Sequence, residues 1–156
     1  MSWNVRLWVA VMCVAVTISL PAIAADKDED EIRALVPRIV QAWESLDPAK
    51  VDPYYATDAN LTFFDLAPMK YANWAEYRVG VKKMFFDPNR SIKFKLNEDM
   101  GVHHQGNLAW VTFTWGADIV PKQGAASKLA GRWTMILERR NGRWLVVHEH
   151  VSPPIG

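Results

Sequence analysis

The sequence predicts an α+β domain, with helices packed on one face of a curved antiparallel sheet, and three observations carry that prediction. Apolar residues recur at three- and four-residue spacing from Ile32 to Leu46. From Ile92 onward the period changes to alternation. The alternating part is cut by the tight-turn dipeptides Gly106-Asn107 and Asn141-Gly142. Helical period first and a long meander after it segregates helices from strands, which is the α+β pattern.

The chain opens on a segment that has to be set aside before the fold is read. Arg6 is the only charge before Asp26, and an apolar run from Leu7 to Leu20 follows it. Pro21 breaks the run, and Ala22-Ile23-Ala24 offers the small-x-small pattern of a cleavage site. The run is shorter than the roughly 20 residues of a membrane span. Residues 1–24 therefore read as a cleaved signal peptide, with an uncleaved anchor as the alternative. The domain, residues 25–156, is expected to be exported, periplasmic or secreted, without a stable membrane anchor.

The elements then follow in order. Ile32, Leu35, Val36, Ile39, Val40, Trp43 and Leu46 form one apolar helical face, which Pro37 should kink or restart. Asp47-Pro48 caps and starts a short second helix. Asn60 to Phe64 reads as a short strand closed by Asp65 and Pro68. Asn73 with Glu76 three residues on is a variant capping box. It opens a helix carrying Trp74, Tyr77, Val81, Met84 and Phe85, which Asp87-Pro88-Asn89 ends. Strands are expected over Ile92–Leu96, Val102–His104, Leu108–Val120, Leu129–Arg140 and Arg143–Val151. Asn141-Gly142 is the strongest hairpin signal in the chain.

Composition narrows the function classes. Charged residues are 22% and the net charge is +1, so no strong field points at nucleic acid or an anionic surface. Losing Arg6 takes the net charge from +1 to about zero. The only cysteine, Cys13, lies in the export segment, so disulfides and thiolate chemistry are excluded from the mature domain. A near-neutral domain rich in aromatics is expected to hide some of them in a homodimer contact.

The last hairpin, GRWTMILERRNGRWLVVHEHVSPP, resembles that of the SnoaL-like, ketosteroid-isomerase-like branch of the nuclear transport factor 2-like superfamily. It is also similar to the end of the calcium/calmodulin-dependent kinase II association domain. YYATDANLTFFDLAP resembles the family's segment after its opening helices, and GNLAWVTFTW its central strand. The resemblance implies a cone-shaped bent antiparallel sheet wrapped by N-terminal helices, a cystatin-like α+β barrel. It also implies frequent dimers and a pocket in the cone. It implies no single reaction, because the family holds isomerases, cyclases, dehydratases, binding modules and oligomerisation domains.

Candidate chemistry follows from strand register. A two-residue Asn141-Gly142 turn pairs Arg140 with Arg143 and, stepping outward, Met135 with His148 and Trp133 with His150. In that register Trp133, Met135, Leu137, Val146, His148 and His150 share one face, and Thr134 and Glu149 share the other with Arg132. His148 and His150 then stand roughly 6.6 Å apart as acid/base groups, anion donors or core histidines. A metal would need a third ligand, and neither Asp65 nor His103 is near in sequence, so no metal and no cofactor is expected. Asp65 is a candidate base, with Tyr77 or Tyr55 as donor, or else a turn residue. Trp43, Tyr55, Phe64, Trp74, Trp110, Thr112, Trp133 and Met135 are candidate pocket lining, and Arg132 is a candidate anion partner or the ion-pair partner of Glu149. The expected function is binding of a small ring-containing or carboxylate ligand. A cofactor-independent isomerase, cyclase or dehydratase and a structural domain with a filled core are the alternatives.

Overall fold

The structure, a computed structural model, describes residues 21–154. The export segment lies outside the described residues up to Leu20. Helix α1 runs over Pro21–Glu44 without a break. Its buried stripe is Ile32, Leu35, Val36, Ile39, Val40 and Trp43. Pro37 was expected to interrupt it. It lies on the exposed side, where water can satisfy the carbonyl that proline leaves unpaired. Arg139 ties the start of α1 down through Asp28 (2.6 Å) and Glu31 (2.7 Å).

Asp47 accepts from Ala49 N at 3.0 Å and starts α2, Pro48–Val51, which tightens into a 3-10 turn over Asp52–Tyr54. Asn73 caps α3, Trp74–Val81, through Glu76 N at 2.9 Å. The Glu76 carboxylate reaches back to Ala72 N at 2.9 Å, so the capping box closes one residue earlier than its usual form. A single π turn, Lys82–Phe86, ends this helix.

Five antiparallel strands follow: β1 Asn89–Leu96, β2 Gly101–Gln105, β3 Leu108–Pro121, β4 Ser127–Arg140 and β5 Arg143–Ser152. Their order is β1-β3-β4-β5, and β2 takes the other half of the β3 edge. The sheet is curved and unclosed, with the helices on its concave face. The expected strand over Asn60–Phe64 shrinks to bridges at Phe63 and Phe64. Its hydrogen bonds go to the free edge of β5, through Phe64 N to Glu149 O (2.9 Å) and Val151 N to Phe64 O (3.0 Å). Tyr55 meets the same edge beside Val146. These two contacts bring Tyr55 and Asp65 to β5.

The β4–β5 hairpin corrects the register read from sequence. The turn is as expected: Arg140 faces Arg143, and Asn141 and Gly142 both take positive φ, 51° and 76°. Leu137 still faces Val146. The next pair is Ile136 with His148, so Val147 is an extra residue. This bulge inverts every later side chain. Met135 faces Glu149, Thr134 faces His150 and Trp133 faces Val151. His148 and His150 therefore stand on the outer face, and Glu149 enters the core.

Candidate functional site

Glu149 is wholly buried on the inner face of β5. Three donors meet its carboxylate. Tyr55 OH gives its proton to Oε2 at 2.5 Å, and Trp133 Nε1 gives to the same oxygen at 3.1 Å. Tyr77 OH donates to Oε1. Trp43 Nε1 in turn donates to the Tyr55 oxygen at 3.0 Å. Burial raises the Glu149 carboxyl to about 7, although the donors favour its charged form. Burial also pushes Tyr55 and Tyr77 well above the ordinary phenol value, with the nearby carboxylates adding to it.

The donors are held by stacking. The Tyr77 ring lies between Phe63 (5.3 Å between centroids) and Tyr71 (4.8 Å). Tyr55 stacks on Trp74 at 4.1 Å, and the Trp74 indole donates to Asp52 at 3.0 Å. Tyr71 comes this close because Gly80 has no side chain. A Cβ there would stand 2.2 Å from the Tyr71 ring.

In front of Tyr77 and Trp133 lies a cavity of about 220 Å³. Its walls are Trp43, Tyr77, Val81, Phe85, Phe94, Trp115, Trp133 and Val151, with Leu66, Ala67 and Met84 completing the lining. Asp65 is the only carboxyl in that lining. Leu66 N donates to it at 2.7 Å, and Tyr77, whose hydroxyl proton goes to Glu149, shares the cavity wall with it. Burial outweighs the Leu66 bond and raises Asp65 to about 6. The lining also includes the Trp115 indole, whose buried N–H has no partner among the described residues. A half-ionised carboxyl in an apolar pocket can take a proton from a bound molecule or return one near neutral pH.

The candidates from sequence divide by sheet face. Asp65, Tyr77, Trp43 and Trp133 line the cavity. Tyr55 stands behind it on Glu149, and Trp74 behind Tyr55. Met135 is buried on the inner face but outside the lining. The others gather on the outer face, in the neighbouring rows Trp110–Ile136–His148 and Thr112–Thr134–His150, with Arg132 facing Ser152 in the row after. Phe64 packs edge-on against both histidines (5.4 and 5.7 Å), and His148 Nδ1 lies 2.6 Å from Thr62 O. Arg132 donates to Pro153 O at 3.3 Å instead of pairing with Glu149. Among the described residues no three metal-ligating side chains converge.

Glu149 is the site residue that the sequence reading missed. No local signal pointed to it: Leu145 and Val147 are as apolar as Trp144 and Val146, so alternation leaves the face open, and only the bulge at Val147 turns Glu149 inward.

An open α+β cone with its cavity between helices and concave sheet defines the class. The SnoaL-like domain family matches residues 32–156, and the chain belongs to it. A nuclear transport factor 2-like superfamily protein from Salmonella enterica serovar Typhimurium LT2 is similar in structure, at 19% identity and a TM-score of 0.77 over 84% of this chain and 94% of that one. A nuclear transport factor 2-like protein of unknown function from Pseudomonas putida KT2440 gives 26% and 0.70 over 84% and 89%. The association domain of C. elegans CaMKII gives 19% and 0.64 over 83% and 98%. No curated protein matches the chain.

Proposed function

We propose that this domain binds a small ring-containing molecule in its cavity and moves a proton on it without a cofactor, with Asp65 as the base. One observation carries the reading: a single carboxyl, raised to about 6, lines a pocket whose other walls are apolar or aromatic. A base titrating near the working pH is both available and strong enough to accept a proton, an effect typically worth about 10²–10⁴-fold in rate. Size narrows the ligand further. A dry cavity of about 150 Å³ accepts benzene, so about 220 Å³ suits one or two rings rather than the four of a steroid.

The test is a titration of the purified protein with one-ring and two-ring enones and phenols, followed by tryptophan fluorescence. Exchange of the ligand's acidic C–H in D2O is then read by NMR. Binding should survive Asp65→Asn, while exchange falls at least 100-fold. If no such compound binds, or if exchange is indifferent to Asp65→Asn, the reading is wrong.

Two further parts of the proposal rest on other supports. Export to the periplasm or the medium rests on the leader over residues 1–24, and an intact mass beginning at Ala25 would establish it. A homodimer rests on the exposed apolar outer face, where Leu108 and Trp110 are 47% and 42% exposed. The likeness in fold to an association domain favours the same assembly.

A further inference from the structure

We propose that Glu149 is the positioning residue that sets the ligand specificity of the cavity. It touches no ligand, but it holds the rings of Trp43, Tyr77 and Trp133 and so fixes how large a ring system the cavity admits. This rests on the pocket reading above and deepens it. The three rings make the aromatic wall together with Phe85, Phe94 and Trp115. They arrive from three separate elements, α1, α3 and β4. Glu149 comes from a fourth, β5, where it is fully buried and stands outside the lining.

Hydrogen bonds from all three rings converge on this one carboxylate. Trp133 Nε1 donates to Oε2 at 3.1 Å, and Tyr77 OH donates to Oε1. Trp43 is reached through one intermediate. Its indole donates to the Tyr55 oxygen at 3.0 Å, and Tyr55 OH donates to Oε2 at 2.5 Å. Ring packing alone would leave the wall loose. Trp43 lies 5.7 Å from Tyr77 and 6.4 Å from Trp133, inclined at 43° and 61°. Such contacts keep rings together but let each slide over its neighbour, whereas a hydrogen bond is directional and pins the ring by its rim. A carboxylate suits this task because it only accepts, and its two oxygens can take three donors from three directions. The strand pairing asks for no carboxylate here. Met135, Leu137 and Val146, on the same inner face of β4 and β5, are apolar and fully buried. An apolar side chain at position 149 would leave two hydroxyls and an indole N–H without an acceptor in the core. The rings would then turn toward other partners, and the cavity is the open space beside them.

Calorimetric titration with phenol, naphthol and phenanthrol tests this, since the three differ only in the number of fused rings. Wild type should bind phenanthrol at least about tenfold more weakly than naphthol, the discrimination a shaped apolar pocket can reach. Glu149→Gln keeps a polar atom at each oxygen position and should keep that ratio. Glu149→Met, similar in size but without an acceptor, should shrink it about fivefold, the worth of a lost hydrogen bond. Tyr55 lies outside the lining, so Tyr55→Phe removes no ligand contact and cuts only the path to Trp43. It should shrink the ratio in the same direction, and it should add nothing in the Glu149→Met background, because both changes break one path. A ratio that stays at the wild-type value in Glu149→Met and Tyr55→Phe, while their melting temperatures fall, overturns the inference and makes Glu149 a core group alone. Independent, additive effects of the two changes overturn it as well. Should Glu149→Met fail to fold, the remaining pair decides: a ratio kept by Glu149→Gln and shrunk by Tyr55→Phe supports the role, and one indifferent to Tyr55→Phe refutes it. If none of the three compounds binds, the pocket reading fails and takes this inference with it. Binding with an unmoved ratio refutes this inference and leaves the pocket reading intact.

Discussion

At Glu149 a strand position that would ordinarily hold valine or leucine holds a titrating group, and that choice should be visible in stability. Its carboxyl ionises near 4.5 when unfolded and near 7 when folded. Between those values the folded chain holds the proton and the unfolded chain has lost it. The native state therefore binds more protons, and stability falls as pH rises through this window. Asp65 acts with the same sign between 3.8 and about 6. Urea unfolding should accordingly give a free energy that declines between pH 4.5 and 7, by roughly 3–5 kcal/mol. Glu149→Gln should flatten most of that decline and leave only the lower-pH part due to Asp65. A wild-type profile that rises across this window would mean that the donors outweigh burial and that Glu149 is a simple carboxylate.

Strand β5 shows which level of structure the sequence discloses. Its hairpin turn, its pairing with β4 and its amphipathic character were all legible, because Asn-Gly chemistry and alternation are local. Its second half was not, because the bulge at Val147 is fixed by what lies across the strand. Phe64 and Tyr55 take the free edge of β5; the Tyr55 hydroxyl donates to Glu149 on the inner face, while the Phe64 ring packs on His148 and His150 on the outer one. Leu145 and Val147 are as apolar as Trp144 and Val146, so hydrophobicity alone could not choose the face. The same bulge puts His148 and His150 on the face opposite to the one the expected register gave them, while Asp65 and Tyr77, which lie outside β5, line the cavity. Strand β4 depends on a smaller device. Gly131 faces Trp115, and a Cβ there would stand 2.6 Å from the indole and 2.9 Å from Ser152 O. One contact is backbone, so the strain cannot be relieved by the ring alone. Gly131→Ala should cost about 1–3 kcal/mol, as overpacking does, and should weaken ligand binding by displacing the Trp115 wall. A variant with unchanged melting temperature and affinity would show that the ring has room to move.

Across the whole molecule, the one sheet serves two purposes on its two faces. The concave face is consumed by the helices and the cavity, and its residues are buried. Among the described residues no helix covers the convex face, and its central rows, Trp110–Ile136–His148 and Thr112–Thr134–His150, hold no residue with a fixed charge. The indole of Trp110 stacks on His103 at 5.2 Å and still leaves 42% of its surface to water. Large exposed rings on a flat, weakly charged strand surface are what a second copy would cover. A homodimer through this face buries those rows without touching the cavity, which opens on the other side of the sheet. Sedimentation of the wild type should therefore give a dimer. Trp110→Glu, placing like charges across the twofold contact, should give a monomer that still binds the ring ligand with unchanged affinity. Loss of binding together with dimerisation would mean that the two faces are coupled and that the cavity needs its partner to hold its shape. A wild type that sediments as a monomer would leave the exposed indole to another protein.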